Sequence, residues 1–419
     1  MTTFQMTAKN MTAIVASNAL EWYDFVVYSF LTVVIAKLFF PSDHPANSIL
    51  MATATFGVAF CLRPLGGIVM GAYADRKGRK AAITVVIAIM SLALMMISIA
   101  PTYAQVGLLA PVIIVIARML QGFSAGGQFG VSTSLLIELA PTHQRGYYGS
   151  WQMVGQMVAM LLGATVGMLI MNTLSIEQVE AYGWRLPFMA GLIIAPIGIY
   201  LRRYLHDTNT AAVRSNKKKN HFWDDVGEHW KQILISMGLV VGGTVATYVN
   251  ISYMPTYTVT YLHMSLNDAF TALGVSILVM VTLIPFFGGL SDSIGRKPIL
   301  LTSLLLYLLV VFPLFYWLNA EPSLPRLIAV ELCCCVLLAA FFGVFATVVA
   351  ELFPVAIRSS GLGISYNLTV MVFGGFAQFI VTWLIETLQS PIAIVYYLGA
   401  AIAISFIAAI FYQDGTQLT

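Results

Sequence analysis

Twelve stretches of this chain each run for about twenty residues with hardly a charge in them, the length an α-helix needs to cross a bilayer. They fall near 11–36, 47–73, 81–100, 106–133, 148–171, 184–204, 231–258, 266–290, 299–318, 326–350, 359–386 and 391–412. Inside lipid every backbone N–H and C=O has to find its partner within the protein, and runs of this kind meet that demand as helices. Only 9% of the residues are charged, against about 25% in soluble domains. The expectation is an all-α membrane protein that crosses the lipid bilayer twelve times and takes no nucleic-acid partner. The first run is too long for a signal-peptide core and lacks a small-residue cleavage site, so it is expected to be retained.

The placement of the basic residues sets the orientation. Of 21 Lys and Arg, 16 lie in the N-terminal tail or the even-numbered connections, among them Lys9, Arg76, Lys77, Arg79, Lys80, Arg145, Lys217, Lys218, Lys219, Arg296, Lys297 and Arg358. By the positive-inside rule these connections and both termini are cytoplasmic. The four cysteines, Cys61 and the run Cys333–Cys335, sit within predicted helices. Adjacent cysteines on a helix point in different directions, so they read as packing residues rather than a disulfide.

Two short patterns recur in order. "GAYADRKGRK" (71–80) follows the second run and "GGLSDSIGRK" (288–297) the eighth, an offset of 217 between Asp75 and Asp292. "ELAPTHQRG" (138–146) follows the fourth and "ELFPVAIRSSG" (351–361) the tenth, both with Glu-x-x-Pro-x-x-x-Arg, at an offset of 213. Nearly equal offsets predict a tandem repeat of six helices plus six. The halves are then 1–204 and 231–419, joined by a polar cytoplasmic linker over 205–230 that carries "RSNKKKN". Charged residues at a cytoplasmic rim can latch two halves in one state and release them in another. Asp75, Arg76, Arg79, Asp292 and Arg296 are the candidate gating residues. The pairs Glu138–Arg145 and Glu351–Arg358 are candidate accessory latches. The alternative is that these charges only fix topology.

This arrangement resembles the major facilitator superfamily, and the resemblance covers the whole chain. "FCLRPLGG" (60–67), "ARMLQGFSAGG" (117–127) and "GWRLPF" (183–188) look like the metabolite:proton symporter family. "GLLAPVIIVIARMLQGFSAGG" and "YMPTYTVTYLHMS" look most like its citrate/tricarballylate branch. The resemblance implies the 6+6 fold, alternating access, symport of a small molecule with a proton, a monomer, and a cell inner (cytoplasmic) membrane. It also implies that the loop after the second helix acts as a latch.

Ionisable groups within spans are costly and default to functional candidates. Arg63 lies roughly 18 Å from the inner end of its helix at 1.5 Å per residue, and Arg118 and Glu21 are at similar depth, near the midplane where carriers of this kind bind substrate. Glu21, Asp24, Ser17 and Tyr28 share nearly one face of the first span. Arg118, Gln121, Ala125, Gln128 and Ser132 form one polar stripe of the fourth, while Gly122, Gly126 and Gly130 form a second face suited to close helix packing. In the fifth span Gln152 and Gln156 lie on one face and Gly155, Ala159, Gly163 and Gly167 on another. The second half offers Asn250, Tyr253, Tyr257 and Tyr261 on one face of the seventh span, and Asn367 and Gln378 in the eleventh. Glu331, five residues from Arg326, is expected to pair with it or snorkel.

The candidate substrate-binding residues are thus Arg63, Arg118, Gln121, Gln128, Gln152, Gln156, Tyr28, Tyr253, Tyr257 and Asn367. Glu21 and Asp24 are expected to meet the two arginines across a central cavity, and either is a candidate proton carrier. If an anion takes over an arginine, the released carboxylate loses its counter-charge and favours protonation. The alternative is a structural charge network that never meets substrate.

No phosphate-binding Gly-x-x-x-x-Gly-Lys-Ser/Thr loop is present, and His44, His143, His206, His221, His229 and His263 all fall outside the apolar runs. Neither an enzyme nor a cofactor or metal is expected. The cargo lies between an anion and a zwitterion. Two arginines suit a di- or tricarboxylate, which each can grip bidentately. Against this, the four midplane charges sum to zero, which suits proline or glycine betaine. Trp22, Tyr23, Trp151, Tyr253 and Tyr257 could line an aromatic cage for the latter. The family commonly has Glu where this chain has Gln128, a departure that removes a negative charge beside Arg118 and favours the anion.

Overall fold

The computed structural model describes residues 8–42, 45–204 and 226–414, and among them every regular element is helical. In chain order the main helices are α1 (Ala8–Phe30), α2 (Thr32–Phe39), α3 (Pro45–Lys77), α4 (Arg79–Ser98), α5 (Leu109–Glu138), α6 (Arg145–Thr173), α7 (Arg185–Gly191) and α8 (Ile194–Tyr204). They continue as α9 (Trp230–Thr247), α10 (Met254–Thr260), α11 (Leu266–Ile294), α12 (Arg296–Ala320), α13 (Leu324–Glu351), α14 (Arg358–Thr369), α15 (Ala377–Leu388) and α16 (Ile394–Phe411). Among the described residues nine spans are long and apolar enough to cross a membrane, and eleven if two bent pairs each count as one. The run expected over 148–171 is the single helix α6.

Two expected spans are broken, for different reasons. α1 and α2 meet at 66° near Leu31, where the Thr32 hydroxyl donates to the Tyr28 carbonyl at 3.1 Å, a back-bond that bends helices. The sixth span turns by 42° where a π-helical turn over Val179–Gly183 leads into α7. In the seventh span a π turn over Tyr248–Tyr253 separates α9 from α10. Pro255 explains it: with no N–H to give to the carbonyl four residues back, and a ring that crowds it, proline forces the register to widen. A further π turn, Val370–Gly374, joins α14 to α15.

The helices cluster into two units. The first takes residues 1–139, 155–220 and 355–364, and the second 140–154, 221–354 and 365–419. Each therefore includes a short piece of chain that the repeat assigns to the opposite half. Most of the expected linker, residues 205–225, lies outside the described residues.

Within the first unit the tightest approach joins α3 to α5. A Cβ on Gly126 would sit 1.9 Å from the Arg63 carbonyl oxygen, one on Gly122 2.1 Å from that of Ala59, and one on Gly66 1.9 Å from that of Phe123. Small residues at this spacing let two backbones touch, and they fix Arg63 and Arg118 on adjoining walls. α6 meets α1 in the same manner, a Cβ on Gly155 falling 3.1 Å from the Val15 carbonyl oxygen. The second unit repeats the contact: a Cβ on Gly343 of α13, at an offset of 217 from Gly126, would sit 2.8 Å from the Ile284 carbonyl oxygen of α11. Gly126→Val is expected to cost more than the roughly 1–3 kcal/mol of ordinary overpacking, because the collision is with backbone. Gly57→Ala, in the same pair of helices but with nothing within 4 Å of the new methyl, should leave thermal unfolding in detergent unchanged. Equal unfolding temperatures for the two variants would refute the close-packing role.

Candidate functional site

α1 contributes Glu21, Asp24 and Tyr28, at spacings of three and four that set them along one side of the helix. All three are buried, as are Arg63 on α3 and Arg118 on α5. Arg118 Nη1 donates to Asp24 Oδ2 at 3.2 Å and to Gln121 Oε1 at 2.7 Å. Its guanidinium lies 3.9 Å above the Tyr28 ring and 5.1 Å from that of Phe25. Arg63 is enclosed differently. Its guanidinium faces the rings of Trp22, Phe25 and Phe60 at 4.9, 5.0 and 5.2 Å. No ion pair joins it to Glu21 or Asp24 among the described residues. Phe25 thus touches both arginines, and the cation–π contacts hold them where burial would otherwise be costly. Sequence reasoning singled out neither Phe25 nor Phe60; Phe60 stands one turn before Arg63, which was the available signal.

Further along α5, Gln128 Nε2 donates to Ser17 Oγ at 3.0 Å, and that hydroxyl donates to the Ile14 carbonyl at 2.8 Å. Gln121, Gln128 and Ser132 are all buried, as are Gln152 and Gln156 on α6. Several atoms here make no hydrogen bond: Arg63 Nε and Nη1, Gln121 Nε2, Gln156 Nε2, Asp24 Oδ1 and Gln128 Oε1. Each costs on the order of 1–3 kcal/mol if left unmet in a dry interior. Four of the six are donors, so among the described residues the first unit buries more unmet N–H groups than unmet oxygens.

Tyr253, Tyr257 and Asn367 belong to the second unit and are buried there. Their environment is already polar: the Tyr253 hydroxyl is 2.8 Å from Thr382 Oγ1. Asn319 Nδ2 donates to the Tyr257 hydroxyl at 2.8 Å, and that hydroxyl donates to the Pro391 carbonyl at 3.2 Å. Tyr261 reaches Glu386 at 3.1 Å.

The repeated rim motifs form two matching constructions, one in each unit. Asp75 takes Arg79 Nη1 at 2.6 Å and also accepts the backbone N–H groups of Ser359 and Ser360, at 3.3 and 2.9 Å. It therefore caps the N-terminus of α14, where the helix dipole favours a carboxylate. Asp292 takes Arg296 at 3.0 Å and accepts the N–H groups of Gly146 and Tyr147, at 2.8 and 2.9 Å, at the start of α6. Each Asp of the first motif thus caps the helix that follows the Arg of the second motif, in the opposite copy. The accessory pairs differ from those the sequence suggests. Glu138 meets Arg79 and Arg358, both at 3.2 Å, and Glu351 meets Arg296 at 3.6 Å. Arg145 makes no ion pair among the described residues, and its carbonyl accepts from Thr347 at 3.1 Å. Arg76 is exposed and makes none either.

The pairing expected between Glu331 and Arg326 is also corrected. Arg326 pairs with Glu321 and donates to the carbonyl there, whereas Glu331 is 3% exposed with no partner for either carboxylate oxygen. Five helical residues put two side chains about 140° apart around the axis, so one faces the loop and the other the interior.

Residues 25–368 match the family model of the Major Facilitator Superfamily. The chain is 33% identical over 418 residues to the glycine betaine/proline/ectoine/pipecolic acid transporter OusA of Dickeya dadantii, across 97% of this chain and 83% of that one. It is 34% identical over 377 residues to the citrate-proton symporter of Salmonella typhi, across 89% and 86%. The structure of the proton:xylose symporter XylE bound to 6-bromo-6-deoxy-D-glucose superposes with a TM-score of 0.78 at 16% identity, over 97% of this chain and 96% of that one, which establishes the fold.

Proposed function

From the membership of this chain in the Major Facilitator Superfamily, a family of carriers and not enzymes, we propose that it imports a di- or tricarboxylate such as citrate together with protons. The observation that carries this reading is the surplus of unmet buried donors on Arg63, Gln121 and Gln156. A carboxylate supplies the acceptors they lack, and the planar Arg63 fork can hold one bidentately between its aromatic walls. The same walls argue against an ammonium cargo, because the faces of Trp22, Phe25 and Phe60 are taken by the guanidinium of Arg63.

Coupling follows from the Arg118–Asp24 pair. An anion that draws Arg118 toward itself leaves Asp24 without its counter-charge in a site of low polarity, where the carboxylate gains by taking a proton. Each proton taken up offsets one charge of the bound anion, and with that charge offset the halves 1–204 and 231–419 can exchange access. Asp75, Arg79, Glu138, Asp292 and Arg296 hold the cytoplasmic rim until then, with Arg76 and Arg145 at its edge. The carrier works as a monomer in the cell inner membrane.

A second reading, uptake of a zwitterion such as proline or glycine betaine, is favoured by the zero sum of the four buried charges and by the likeness to OusA, a glycine betaine/proline/ectoine/pipecolic acid transporter. Uptake of labelled citrate into proteoliposomes, with and without an inward proton gradient, separates the two. Gradient-driven accumulation blocked by tricarballylate and indifferent to glycine betaine is expected. Betaine uptake with no citrate uptake would overturn the carboxylate reading and leave the carrier itself standing.

A further inference from the structure

Glu331 lies in the second unit, whereas Glu21, Asp24, Arg63 and Arg118 belong to the first. It stands seven residues into α13, roughly 10 Å from the helix start at 1.5 Å per residue, on the end that the basic residues place outside. Its burial is nearly complete and neither oxygen finds a hydrogen bond. Cys334 and Cys335, three and four residues on, share its face and are buried beside it. The Tyr307 hydroxyl of α12 reaches Cys334, and it accepts from Asn250 Nδ2 at 2.7 Å. Asn250 belongs to the π turn of the seventh span, an irregularity of the kind that recurs at functional sites.

Among the described residues no cation pairs with this carboxylate. α11 has no titratable residue between Asp268 at its outer end and Asp292 at its inner end. The titratable side chains of α12 are Arg296 and Lys297 at the inner end, Tyr307, and the exposed Tyr316. Those of the seventh span are Lys231 at the inner end and Tyr248, Tyr253 and Tyr257. Arg326, on α13 itself, is committed to Glu321. An ionised carboxylate without a partner is among the costliest things a membrane interior can hold, and intramembrane acids that persist mark ion or proton routes.

The geometry points to Glu331 as a second proton-binding site, separate from Asp24, loaded from the outer side and discharged when the π turn that carries Asn250 changes its packing. This inference rests on the proton-coupled reading of the chain and adds to it that each unit carries its own proton. The step is a simple one: a proton from the outer solution joins a carboxylate oxygen of Glu331 and leaves from the same oxygen to the inner side.

The test uses the purified full-length protein with E331Q and E331D. Infrared spectra need no substrate: beside any band from the buried Glu21, a carboxylic-acid C=O component at neutral pH is expected in the wild type that shifts in E331D and is missing in E331Q. In proteoliposomes the proton:substrate ratio is then measured with whichever of citrate and glycine betaine the wild type accumulates. A ratio lower by one proton in E331Q, and retained in E331D, supports the proposal. An unchanged ratio in E331Q overturns it, as does a wild type lacking that component. If E331Q fails to fold, the component that E331D shifts decides: it must change when substrate is added, and a component indifferent to substrate overturns the proposal. A wild type that accumulates substrate without any proton gradient refutes the coupled reading itself, a result distinct from any of these.

Discussion

Arg118→Ala is expected to abolish accumulation of substrate in a protein that still folds. The guanidinium is buried, shared between Asp24 and Gln121, and stacked on Tyr28. Removing it takes away the cation that a carboxylate cargo competes for and strands Asp24 without a partner. Breaking such a buried pair costs ~3–5 kcal/mol of stability, and truncating one partner of a buried charge pair with a ligand costs ~2–5 kcal/mol of affinity, of which ~3 kcal/mol is ~100-fold. Arg118→Lys keeps the charge and loses the flat stack, so partial recovery is expected. Calorimetric titration with citrate, alongside thermal unfolding of each variant, makes the measurement. Wild-type affinity in Arg118→Ala would assign the pair to architecture and remove it from the substrate site.

Asp24→Asn is expected to uncouple. The amide keeps the size and one acceptor for Arg118 but can no longer gain and lose a proton. Exchange of labelled for unlabelled substrate across the membrane, which needs no net proton movement, should persist. Accumulation driven by an inward proton gradient should fall, with the proton:substrate ratio lower by one, and the uptake rate should respond less steeply to external pH. Glu21→Gln should retain both, because Glu21 has no ion pair with either arginine among the described residues. If Asp24→Asn keeps its pH response and Glu21→Gln loses it, the roles of the two acids are reversed.

Much of the architecture is legible in the chain because lipid leaves so little choice. Where water cannot satisfy a backbone, apolar runs become helices, and the two repeated motifs announce the doubling. The polar stripe of α5 and the glycine face beside it could likewise be read from spacing, since both depend only on the helical period. The breaks near Leu31 and at Pro255 were harder. Thr32 and Pro255 are visible, but either residue can also sit in an unbroken helix, and the outcome turns on what packs around it.

Partner choice was the part that spacing could not supply. Glu21 and Asp24 stand three residues apart, and the fact that Asp24 takes Arg118 depends on how α1 is rotated against α5 and α6. That rotation is set by contacts such as Gly155 against Val15. The rim is similar. The motifs were visible, yet Glu138 turns to Arg79 and Arg358 instead of Arg145, a choice made by residues distant in the chain. Glu331 is the clearest case, since nearness to Arg326 along the helix suggested a pair that the helical twist forbids.

By itself, then, the sequence determined the helices, their number to within the bent spans, and the pairs of repeated charged motifs between them. Each of these follows from local hydrophobicity, charge placement and repetition. Only the tertiary structure decided which buried charges meet, which donors remain unmet and which acid stands alone. Those depend on the rotation and close approach of helices far apart in the chain, and such contacts leave no periodic trace in any one of them.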